Sequence, residues 1–166
     1  MATNNLLEGK KILAVDDEAD VLEVIADTLD MCEVDKATTF DEAKRKLDAG
    51  TYDLAIFDIM GVDGFKLLEI AREKGILSIM LTAHALSPEN TVKAYEGGAA
   101  SYVPKEHLSK IAVYLNSSLE MRAKGRHPWA DWLQKLDSLF ARKFGSDWKE
   151  GQKEFINKLK EHSQKD

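Results

Sequence analysis

Lys11-Ile-Leu-Ala-Val-Asp-Asp-Glu18 sets four consecutive apolar residues directly against three carboxylates. A short apolar run ending in charge predicts a strand buried on both faces that delivers its last side chains to one edge of a sheet. The pattern returns at Leu54-Ala-Ile-Phe-Asp58 and at Ser78-Ile-Met-Leu-Thr82. Two weaker runs, Glu33-Val-Asp-Lys-Ala37 and Ser101-Tyr-Val103, complete five strands. Helical stripes separate them: Val21, Leu22, Val24, Ile25 and Leu29; Ala43 and Leu47; Phe65, Leu67, Leu68 and Ile70; Val92 and Tyr95. A fifth helix runs from about Glu106 to Met121. Turn residues fall between the elements, and Pro88 fits the first turn of helix four with Ser87 as its N-cap. Strands alternating with helices in this way predict an α/β fold, a doubly wound (βα)5 parallel sheet.

The pattern changes after Met121. Lys124-Gly-Arg-His-Pro128 breaks it, and Trp129, Trp132, Leu133, Leu136, Leu139, Phe140 and Phe144 then recur at three- and four-residue spacing. Trp148, Phe155, Ile156 and Leu159 mark a second stripe. The expected organisation is an α/β domain over residues 9–122 and a helical extension over 123–166, folded as an antiparallel α-helical hairpin against the domain or a partner copy.

Charge narrows the function classes. Residues 1–116 carry 12 Lys and Arg against 21 Asp and Glu, a net of −9, while residues 117–166 are +3. An acidic body opposes nonspecific nucleic-acid binding, which draws on phosphate neutralisation, and the tail offers no basic recognition helix, so DNA binding is not expected. No apolar run reaches the length of a membrane span, so membrane insertion is not expected. Cys32 is the only cysteine, no export signal opens the chain, and the expected location is cytoplasmic.

Residues at the carboxyl ends of parallel strands share one edge, where ligands bind in such sheets. Strand one ends in Asp16 and Asp17, strand three in Asp58, strand four in Thr82, and Lys105 follows strand five. Taken singly, each carboxylate reads equally well as a helix cap or a solvated loop residue. Crowded together they repel one another and call for a cation, and a hard oxygen-seeking ion such as Mg2+ meets that need. Phosphoryl transfer asks for an acceptor, positioning and charge neutralisation. Asp58 on the central strand is then the nucleophile, with Lys105 pairing one phosphoryl oxygen and Thr82 donating to another.

Val15-Asp-Asp-Glu18, Asp58 closing an apolar strand, Leu81-Thr-Ala83 and Gly98-Ala-Ala-Ser-Tyr-Val-Pro-Lys105 together resemble the response-regulator receiver domains of bacterial two-component signalling, over about residues 9–122. The resemblance implies a flavodoxin-like sheet in the order 2-1-3-4-5. It implies Mg2+ held by Asp17, Asp58 and the backbone carbonyl of Met60, with Asp16 supporting through water. A sensor histidine kinase or phosphotransfer protein would supply the phosphoryl group to Asp58. Tyr102 would turn inward as Thr82 moves, changing the surface of helix four, strand five and helix five, while Met60 and His84 would flank the phosphoryl group and tune its hydrolysis.

Two departures stand out. Asp58-Ile-Met-Gly-Val-Asp-Gly64 is two residues shorter than the usual segment and has no proline, a tight loop that Gly61 permits. Pro104 precedes Lys105, where the family places proline after it. The shortened loop motivates one alternative, a non-switching pseudo-receiver that acts as a constitutive interaction module. A phosphohydrolase of small substrates is another, but short strand-end loops leave no material for a substrate cap, so no enzyme is expected.

Overall fold

The computed structural model describes residues 6–82 and 88–125. In chain order the elements are β1 (Lys11–Val15), α1 (Ala19–Thr28), β2 (Glu33–Ala37), α2 (Phe40–Ala49), β3 (Leu54–Asp58), α3 (Gly64–Glu73), β4 (Leu77–Thr82), α4 (Pro88–Glu96) and β5 (Ser101–Pro104). A 3-10 segment (Lys105–Lys110) and α5 (Ile111–Ala123) follow. The strands form one parallel sheet in the order β2-β1-β3-β4-β5, the flavodoxin-like arrangement. Right-handed crossovers on either side of β1 wind the chain in opposite senses, so α1 meets α5 on one face and α2 meets α3 on the other.

Burial follows position in the sheet. Every residue of β3 and β4 is buried, and β1 is buried after Lys11, as expected of strands covered on both faces. β2, at an edge, buries only Ala37 fully. Pro104 ends β5, the other edge, where a missing N–H costs the ladder nothing. Phe57, Tyr102, Ile12, Leu13 and Ile56 are among the fully buried side chains, each contributing roughly 1.5–3 kcal/mol through loss of apolar surface to water.

Some expectations change. In α1, Leu22 and Ile25 are buried but Val24 is 43% exposed, so the apolar stripe is narrower than its sequence suggests. The fifth helix begins with the 3-10 segment, whose tighter winding starts Lys105 directly at the end of β5. No helix among the described residues is long and apolar enough to cross a membrane. The hairpin expected over 123–166, the Ser87 cap and His84 lie outside the described residues, apart from the end of α5 and the turn at Lys124 and Gly125.

Candidate functional site

β1 and β3 are adjacent and in register, Val15 facing Phe57, so the residues that follow reach the same edge together. Asp16 is fully buried and Asp58 nearly so, while Asp17 is exposed. One carboxylate oxygen from each of the three lies within 4.8 Å of the others. Thr82 ends β4 immediately after Leu81, the register partner of Asp58, and is buried. Lys105 arrives from the far edge: its Nζ lies 2.7 Å from Asp16 Oδ2, 3.1 Å from Glu18 Oε2 and 3.4 Å from Asp58 Oδ1. Four separated stretches of sequence thus meet at one edge.

The electrostatics reflect crowding. Burial, and then the neighbouring charge of Asp16, push the Asp58 carboxyl up to about 6, against the pull of Lys105. Burial also raises Asp16, opposed by the ion-paired Lys105 ammonium and by a hydrogen bond from the Glu18 backbone N–H. Burial works against the Lys105 ammonium, yet the adjacent carboxylates of Asp16 and Glu18 hold its proton more tightly than usual. Lys105 is one cation facing four acidic groups. The donor set of Asp16, Asp17 and Asp58 is all oxygen, anionic and open to solvent through Asp17, and these residues fit a hard divalent cation such as Mg2+.

The tight loop after β3 shapes the mouth. Gly61 has a φ of +83°, and a Cβ there would sit 2.5 Å from Asp17 Oδ2. A Cβ on Gly64 would overlap the backbone carbonyl oxygen of Asp58. Asp63 adopts the left-handed conformation with φ 53°, while Ile59 and Val62 turn inward and the Met60 side chain stays 62% exposed. The missing residues are absorbed by two glycines and one left-handed aspartate.

Tyr102 is fully buried on β5, paired in register with Met80. Glu18 is a site residue to which the sequence reading gave no role, its only signal being its place two residues after Asp16. His107 is part-buried with Nδ1 2.9 Å from the Tyr114 hydroxyl. The 3-10 turn brings it onto α5. A cleft of about 420 Å3 lined by Phe65, Leu68, Arg72, Lys93 and Gly97 lies between α3 and α4 and holds none of the clustered carboxylates.

Known proteins resemble this chain. A family model described as the response regulator receiver domain matches residues 12–115. The two-component response regulator ARR10 of Arabidopsis thaliana is 34% identical over 105 residues, a match covering 58% of this chain and 19% of the relative. The chain thus spans under a fifth of the length of the plant regulators it matches. A CheY-like response regulator receiver domain protein from Methanospirillum hungatei JF-1 is 31% identical with a TM-score of 0.57, covering 68% of this chain and 98% of that one. The response regulator TrrA of Thermotoga maritima is 33% identical with a TM-score of 0.51, covering 57% and 85%. With the family model spanning the sheet from β1 into α5 and the strands in the order 2-1-3-4-5, the chain belongs to the response regulator receiver family.

Proposed function

We propose that this protein is a phosphorylation-controlled switch whose Asp58 accepts a phosphoryl group from a sensor histidine kinase or a phosphotransfer protein. The observation that carries this reading is the position of Asp58, a nearly buried carboxylate at the end of the central strand, with Lys105 3.4 Å away and Asp16 and Asp17 beside it. An oxygen of Asp58 attacks phosphorus while the donor's P–N bond breaks, and the electron pair leaves with the histidine, whose imidazole takes up a proton. Reversal needs only water: its oxygen bonds to phosphorus, the bond to Asp58 breaks, and carboxylate and inorganic phosphate remain. Lys105 neutralises one phosphoryl oxygen, and the Thr82 hydroxyl donates to another.

Asp16, Asp17, Asp58 and the Met60 carbonyl are the groups that would hold Mg2+. When bound, the ion neutralises charge on the phosphoryl oxygens. TrrA was solved in complex with Mg2+-BeF, which supports an acidic edge of this kind serving that chemistry. Tyr102 on β5 lies beside β4, whose end carries Thr82, and this supports a relay from the acceptor to the surface of α4, β5 and α5.

Incubation of the protein with Mg2+ and a small phosphodonor tests the reading by intact mass. Wild type should gain one phosphoryl group and Asp58→Asn none. Equal gain by both, or none by wild type, overturns it. Continued release of phosphate from a phosphorylated metabolite, far beyond one equivalent per chain, would point instead to a phosphohydrolase.

A further inference from the structure

Lys105 Nζ is ion-paired with three carboxylates, Asp16, Glu18 and Asp58, and donates a hydrogen bond to Glu18 Oε2 at 3.1 Å. A phosphoryl oxygen arriving on Asp58 competes with these carboxylates for the lysine's donors. One carboxylate gives way. The three differ in what withdrawal costs. Asp16 is fully buried, and losing its lysine strands a charge away from water. Asp58 carries the phosphoryl group and stays. The Glu18 side chain is 60% exposed, so water readily takes over its solvation, and exposed ion pairs are weak. Backbone geometry keeps it within reach, because the Glu18 N–H donates to Asp16 Oδ1 at 2.8 Å.

We infer that Glu18 is a positioning residue for phosphoryl transfer: it occupies one donor of Lys105 in the resting protein and releases it to the incoming phosphoryl oxygen. This rests on Asp58 being the acceptor. In the step itself an Asp58 oxygen bonds to phosphorus as the donor's bond to phosphorus breaks, and its electron pair leaves with the donor. Lys105 exchanges one hydrogen-bond acceptor for another. Glu18 transfers neither proton nor electron, so it acts only through Lys105.

The full chain, Mg2+ and acetyl phosphate, followed by time-resolved intact mass, supply the test. Glu18→Gln should gain the phosphoryl group about two- to fivefold faster than wild type, the range expected for releasing a cation from one exposed partner. Asp20→Asn removes another exposed carboxylate from the start of α1, one with no ion pair to Lys105, and should leave the rate unchanged. In a Lys105→Met background the Glu18→Gln effect should vanish. An unchanged rate in Glu18→Gln overturns the assignment. So does equal acceleration by Asp20→Asn, which would show general repulsion of an anionic donor, and so does an acceleration that persists without the lysine. A wild type that gains no phosphoryl group overturns the acceptor reading and this one with it, whereas a phosphorylated wild type with an indifferent Glu18→Gln leaves the acceptor reading standing.

Discussion

Gly61 shows how little room the edge allows. Its left-handed backbone already disfavours other residues, and the space where a side chain would begin belongs to the Asp17 carboxylate. Gly61→Ala should therefore displace Asp17 and weaken Mg2+ binding roughly ten- to hundredfold, the range seen when the support of a metal ligand is lost. Titration calorimetry against wild type checks this. Asp58 makes a second claim at this scale. Its carboxyl titrates near 6 in the folded chain, against 3.8 ordinarily, so the native state holds this proton more tightly than the unfolded state. In chelator, the stability this provides is fully present below about pH 4 and is lost as pH rises through 6. Asp58→Asn should then stabilise the metal-free protein by about 3 kcal/mol at pH 7, at 1.36 kcal/mol per pH unit, and flatten that dependence. Urea unfolding across pH 4–8 is the measurement.

The acidic residues, Thr82 and Lys105 were legible in the sequence because each follows a strand, and parallel strands deliver their ends to a common edge. Glu18 was not legible as a partner of Lys105, since an i+2 position says nothing about a lysine 87 residues away. The clearance between Gly61 and Asp17 was equally hidden. It depends on two loops meeting, whereas the sequence showed only that one of them was short.

Among the elements, the central strands were readable from their unbroken apolar runs, and β2 and β5 from their place in the alternation. Val24 misled because it is apolar on an exposed face, which periodicity alone does not reveal. The His107–Tyr114 contact was hidden, because a partner seven residues along is a neighbour only once the 3-10 turn and α5 have formed. Caps are more local. Thr39 accepts from the Glu42 N–H at 3.1 Å, and Glu42 accepts from the Thr38 N–H at 2.9 Å, a reciprocal clasp on the start of α2. Thr39→Ala should cost about 1 kcal/mol in urea unfolding while leaving the rate of phosphorylation unchanged, because α2 contributes nothing to the acidic edge.

At the scale of the whole molecule, every group assigned to the candidate site among the described residues falls between Asp16 and Lys105. A chain ending at Gly125 should therefore accept a phosphoryl group from acetyl phosphate at a rate within about twofold of the full chain, as for distant and independent changes. Intact mass over time decides it, and a collapse in rate would tie residues 126–166 to the site.

The same wide spacing of parts has a consequence for the birth of the protein. Lys105 reaches Glu18 across 87 residues, and only after β5 has joined β4 at the edge of the sheet. Parallel sheets with such distant pairings form slowly, since chain loops must close before any contact rewards them. A nascent or refolding chain that has assembled β1 and β3 but not β5 has its carboxylates and lacks its lysine. The capacity to take up a phosphoryl group should therefore appear late, with completion of the fold, so that a half-made molecule stays deaf to any phosphodonor.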